Sequence, residues 1–186
     1  NLDLEDDHSF VSFENEISKF RKPLRLVINT SGFLHSKLLK PEKRLAHIDR
    51  SNITKNFSIN AIAPILIAKS IEKFIRPELP FSFASLSARV GSIGDNKLGG
   101  WYSYRASKAA QNQLLKTLSI EWRRKLPLSI VSILHPGTCD TKLSKPFQWG
   151  VPKDKLFTPF QSSEYLINIL SKQKPSDSGN FLAWDS

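Results

Sequence analysis

Three apolar runs limit what this chain can build. Residues 24–28, 81–85 and 128–134 each read as a buried strand. Long helical stretches, over residues 51–75 and 102–124, lie between them. Each strand runs into a turn of small or helix-breaking residues: Asn29-Thr30-Ser31-Gly32, then Ser87-Ala88-Arg89-Val90-Gly91, then Pro136-Gly137-Thr138. In open α/β sheets ligands sit beyond the carboxyl ends of the strands, so these turns are where a site is expected. Ahead of the first strand, Phe10, Phe13, Ile17 and Phe20 recur at helical spacing and give residues 9–20 one apolar face. After the third, Thr158-Pro159 marks a helix start, with threonine capping and proline in the first turn. A last strand is expected at 180–184.

The residues most suggestive of chemistry are Tyr104 and Lys108. Four apart on a helix, they share a face. A free phenol titrates near ~10, too high for a base near neutrality, and a neighbouring cation would lower that value. Alone, this spacing arises often by chance. Inside the helix at 51–75, Asn60 precedes Pro64 by four residues. A proline there removes a hydrogen bond and kinks the axis. Trp101 and Tyr102, Phe147 and Trp149 are expected to border the substrate side or to pack locally.

In this order the motifs resemble those of the short-chain dehydrogenase/reductases. The run Gly99-Gly100-Trp101-Tyr102-Ser103-Tyr104-Arg105-Ala106-Ser107-Lys108-Ala109-Ala110 is most similar to the carbonyl-reductase and C-factor-like branch. The resemblance spans nearly the whole chain. It implies an α/β fold with a doubly wound, mostly parallel Rossmann-like sheet in three α/β/α layers, one domain over residues 1–186. It also implies an N-terminally incomplete sheet. No glycine precedes Gly32, so the family's glycine-rich turn is missing, and about two strand–helix units would lie upstream.

The same resemblance assigns roles. Tyr104 would exchange a proton with a carbonyl oxygen, and Lys108 would tune it and hold the nicotinamide ribose of NAD or NADP. Asn60 would support a water relay towards Lys108. Asn29 and Gly32, and Pro136, Gly137 and Thr141, would face the cofactor, with Asp3 beside its adenine. A solvated loop aspartate and a plain strand-to-loop turn remain the ordinary alternatives for Asp3 and Asn29. The family's substrate-holding serine falls on Ala88, so Ser87 or Ser92 would have to substitute. A small-molecule carbonyl or alcohol is the implied substrate. Ala106, Ala110, Leu114 and Leu118 form a stripe that would suit a homodimer.

Composition narrows the rest. The net charge is +10, from 27 Lys and Arg against 17 Asp and Glu. These residues are dispersed, and the densest cluster, Arg123-Arg124-Lys125, sits where a helix end favours cations. That speaks against a nucleic-acid surface. Cys139 is the only cysteine, which excludes an internal disulfide and fits a reducing, cytoplasmic setting. No apolar run is long enough to cross a membrane, and the acidic start does not resemble a signal peptide. The absence of methionine suggests a fragment or trimmed chain. His8, His35, His47 and His135 are scattered without metal-ligand spacing. Two readings therefore lead: an NAD(P)-dependent oxidoreductase, or a non-catalytic binding or signalling protein on the same fold. A basic nucleic-acid binder is the third.

Overall fold

The computed structural model describes residues 2–186. In chain order the elements are α1 (Asp7–Ser18), β1 (Leu26–Asn29), α2 (Arg50–Phe57), a π-helical turn (Ser58–Ile62), α3 (Ala63–Glu72), β2 (Phe81–Leu86), α4 (Tyr102–Lys125), β3 (Ser129–His135), β4 (Thr138–Cys139), β5 (Leu156–Phe157), α5 (Pro159–Lys172) and β6 (Phe181–Ala183). Four strands form one parallel sheet in the order β1-β2-β3-β6. β4 and β5 pair separately, Thr138 opposite Leu156 and Cys139 opposite Phe157, and so bracket the loop between them.

Both faces of the sheet are covered, which makes three layers. Alternation along β2 shows why. Phe81 and Phe83 point to one side and join Phe10 of α1, Ile67 and Ile71 of α3, and Leu115 and Trp122 of α4. Ala84 points to the other side and meets Leu134 and Leu166 of α5. Trp122 is fully buried, with Phe81 and Phe83 edge-on at 5.9 and 6.1 Å, and its indole N–H donates to Glu72 Oε2 at 2.9 Å. β1 forms the open edge of the sheet among the described residues, and its Leu26 and Ile28 are exposed.

Several expectations hold locally. Thr158 caps α5 through the Gln161 amide, with the reciprocal Gln161 bond completing a capping box. The kink expected near Pro64 is a π-helical turn, in which the Ala63 N–H donates to the Ser58 carbonyl five residues back. Others need correcting. Phe20 lies beyond α1 and is exposed, since the helix ends at Ser18. Asp3, expected beside a cofactor's adenine, sits just ahead of a turn, where its carboxylate accepts the Glu5 N–H and its own N–H donates to Ser9 Oγ. The stripe on α4 does not mark one face. Each four-residue step overshoots a helical turn by about 40°, so Ala106 and Leu114 are exposed while Leu118 is buried. Among the described residues no helix is long and apolar enough to cross a membrane.

The turn after β2 abuts α4 closely. A Cβ on Gly91 would come within 2.8 Å of the Lys108 carbonyl carbon and 3.0 Å of the Ala109 nitrogen. Backbone cannot yield as a flexible side chain can. Gly91→Ala is therefore expected to destabilise the protein by about 1–3 kcal/mol, read as a lowered midpoint in urea denaturation.

Candidate active site

A cavity of about 860 Å³ opens beyond the carboxyl ends of β1, β2 and β3. α4 carries Tyr104 and Lys108 to its wall. Both are core-side residues, Tyr104 9% and Lys108 2% exposed. Lys108 Nζ lies 5.9 Å from the centre of the Tyr104 ring and donates to the Leu86 carbonyl at 3.0 Å and to Gln111 Oε1 at 2.9 Å. Burial favours the neutral form of each group. It pushes the Lys108 amine down to about 7 and the Tyr104 phenol up to about 12. The expectation that Lys108 lowers the Tyr104 value is thus reversed in this state. Burial of the phenol is the cause, and an amine that titrates near neutrality is uncharged at the pH where this phenol ionises.

Asn60 does not line the cavity; it braces it. Its Oδ1 accepts the Phe33 N–H at 2.7 Å, and its Nδ2 donates to the Phe33 carbonyl at 2.8 Å and to Ser107 Oγ at 3.0 Å. The side chain thereby ties the loop after β1 to α4. Pro64 has no N–H, so the Asn60 carbonyl receives no α-helical bond from it. Asn29 is likewise structural in its contacts. Its Nδ2 donates to Ser85 Oγ at 2.9 Å, and its Oδ1 accepts from the Ser31 N–H and hydroxyl.

The turn after β2 places Ser87 and Ala88 on the cavity wall. The Ser87 hydroxyl donates to Asn112 Oδ1 at 2.6 Å, so its proton is committed away from a ligand. Ser92 stands outside the lining and accepts the Asp95 N–H in a turn at 3.3 Å. Of the two serines, only Ser87 reaches the cavity. Gly32, Pro136, Gly137 and Thr141 do reach the cavity, and Asp3 does not. At Gly137, φ is +76° and a Cβ would meet the Phe157 ring at 2.6 Å, so both conformation and space require glycine.

Two residues that the motifs did not reveal organise this site. Gln111 lies one turn after Lys108 on the same face of α4, so helical spacing would have found it. Glu42 had no local signal. It sits 1% exposed in the loop after β1, and its carboxylate accepts from Asn52 Nδ2 at 2.7 Å, the Ser103 N–H at 3.2 Å and the Ser103 hydroxyl. It thus caps the positive end of α4, which lacks a side-chain cap of its own. The Glu42 carbonyl also accepts the Trp101 N–H. Trp101 has a left-handed backbone, φ 50°, and follows two left-handed glycines. That entry sets the Trp101 ring edge-on to Tyr104 at 6.1 Å and to Phe147 at 4.9 Å. His35 meets the far side of Phe147 at 5.5 Å.

The donor set suits the nicotinamide–ribose end of a dinucleotide. It offers a buried amine with one position left after its two hydrogen bonds, a phenol and a threonine, and at Gly32 a Cβ would stand 3.8 Å from Asn60 Oδ1 and 3.9 Å from Lys108 Nζ. Lys108 is the only Lys, Arg, Asp or Glu among the described lining residues. No group of three or more His, Cys, Asp or Glu that would hold a metal ion occurs among the described residues.

Residues 1–150 match the family model for the short chain dehydrogenases. The chain belongs to that family. Among its family relatives is 1-hydroxy-2-glutathionyl-2-methyl-3-butene dehydrogenase of Rhodococcus sp. (strain AD45), 32% identical over 136 residues. That match covers 72% of this chain and 56% of the relative, so the chain spans little more than half of that protein. C-signal of Myxococcus xanthus is 30% identical over 138 residues, covering 74% of this chain and 77% of the relative. Among solved structures, the fold is shared with NADPH-bound carbonyl reductase from chicken fatty liver (TM-score 0.84, 24% identity, 99% of this chain and 73% of that one). It is shared also with carbonyl reductase Sniffer of D. melanogaster (TM-score 0.85, 21% identity, 100% and 75%).

Two outcomes follow from the geometry. Glu42→Gln should cost about 1–3 kcal/mol, because the amide offers one acceptor oxygen where three donors converge. In a double-mutant cycle with Ser103→Ala, the two losses should fail to add. The second outcome concerns pH. The folded Lys108 value lies below the unfolded 10.5, so between about 7 and 10.5 the unfolded chain binds the extra proton. Relative to Lys108→Met, the protein should gain stability as pH rises through that window, measured by urea denaturation in a pH series.

Proposed function

We propose that the chain carries the proton-transfer and substrate-binding residues of an NAD(P)-dependent oxidoreductase that interconverts a carbonyl and an alcohol. The observation that carries this reading is the Tyr104–Lys108 pair, buried side by side on the wall of one cavity. A phenol held up to about 12 stays protonated near neutrality. It is therefore set to act as the acid, giving its proton to a carbonyl oxygen as that oxygen gains negative charge. Lys108, when protonated, stabilises the phenolate left behind and turns its remaining N–H to the ribose.

The bound nicotinamide would supply or accept the hydride. Gly32, Pro136, Gly137 and Thr141 would hold it at the strand ends, and Asn60 keeps the β1 loop fixed to α4 beside them. Trp101 and Phe147 would shield the reacting carbonyl from water. The names of the Rhodococcus dehydrogenase and of the NADPH-bound chicken enzyme agree with this assignment.

One observation favours a second reading, a binding or signalling protein without turnover. Ala88 offers no hydroxyl to the developing oxyanion, and the Ser87 proton is engaged by Asn112. The relative named C-signal is consistent with that alternative. A panel of carbonyl compounds with NADPH and with NADH separates the two. Turnover by the protein should fall at least ~100-fold in Tyr104→Phe, with the thermal midpoint retained. Turnover unchanged in that variant would remove Tyr104 from the chemistry, and cofactor binding without any turnover would favour the signalling reading.

A further inference from the structure

Behind Lys108 lies a polar chain that the proposed reaction does not use. Gln111 is 1% exposed and Ser85 is fully buried. Gln111 Nε2 donates to Ser85 Oγ at 2.8 Å and to the Leu86 carbonyl at 3.1 Å, while its Oε1 accepts from Lys108 Nζ at 2.9 Å. Ser85 Oγ also accepts from Asn29 Nδ2 at 2.9 Å. The Leu86 carbonyl serves both Gln111 and Lys108. The orientation of the amide is determined by this set. Turned over, it would face an NH2 group to the amine and an oxygen to the Leu86 carbonyl.

A leucine of similar volume would fill this place on α4 without the cost of burying an amide. We propose that Gln111 is a positioning residue for Lys108, anchoring the amine so that one of its three proton positions faces the cavity. The count of partners supports this. A neutral amine has two hydrogens, and Leu86 and Gln111 accept both. The third position, a lone pair or an N–H, is left for the cavity that Lys108 lines. Gln111 thereby determines both where the amine points and how readily it takes its third proton.

The groups facing Lys108 are few. Tyr104 lies on its own helix, the β1 loop comes close at Gly32, Leu86 of β2 accepts from the amine, and Ser85 of β2 lies behind Gln111. Tyr104 alone among these titrates. An acceptor added or removed at position 111 should therefore register directly on Lys108.

This inference rests on the reading that Lys108 serves Tyr104, but its test does not need turnover. The protein is prepared with isotope-labelled lysine, and the Lys108 signal is identified by its loss in Lys108→Arg. Its titration midpoint is then followed by NMR in three forms. In Gln111→Leu, loss of an acceptor that favours the charged amine should lower the midpoint by about one pH unit. In Gln111→Glu, an adjacent carboxylate should raise it by about one unit or more. A midpoint unmoved in both, or moved the same way in both, overturns the proposal. Should Gln111→Leu fail to fold, an unmoved midpoint in Gln111→Glu overturns it and an upward move supports it. In the turnover assay, the pH profile of each variant should follow its midpoint, which a merely structural glutamine would not cause. Midpoints that move as stated beside unchanged Tyr104→Phe turnover would sustain this inference and sink the catalytic reading. Tyr104-dependent turnover with fixed midpoints would do the reverse.

Discussion

The seating of α4 against the end of β2 governs the cavity side of this molecule. Gly91 lets the two backbones approach, and Lys108 crosses the gap to the Leu86 carbonyl. Burying an amine there is costly, and two hydrogen bonds offset only part of the cost. The helix accepts this because its other turns are anchored in the apolar core, through Leu115, Leu118 and Trp122. Stability is generated at one end of α4 and spent on a poised amine and phenol at the other.

How much of this could be read from the chain itself depends on distance along it. The helical spacing of Tyr104 and Lys108, the Thr158 cap and the strand runs are local, and they appear where expected. The Glu42 clamp is not local, since 61 residues separate it from Ser103. Nothing in the residues around position 42 marks a carboxylate that will be buried by a later helix. Gln111 is local, yet a glutamine on a basic helix reads as surface until the core face is known. The sign of the Tyr104 shift was also out of reach: spacing tells that a cation is near, and only burial tells how much charge that cation keeps.

The β2 turn is the place where sequence and structure pull the functional reading in two directions. Ala88 stands on the wall where a hydroxyl would serve an oxyanion, and Ser87 beside it is held by Asn112. The other groups of the candidate site stand together: phenol, amine, braced loop and paired aromatic rings. In the proposed reaction, stabilisation of an oxyanion would rest more heavily on Tyr104 itself.

The π-helical turn at Ser58–Ile62 carries a less obvious consequence. A wide turn holds one residue more than the α-helix on either side would need. Shortening the chain there by one residue would let it relax to ordinary α geometry with α3 still in phase, because the wide turn is what absorbs the extra residue. Ile67 and Ile71 would keep their packing against β2, while Asn60, inside the turn, would lose its grip on Phe33. A gap at this point would thus fall on the Asn60 brace between the β1 loop and α4, and leave the apolar interior as it is.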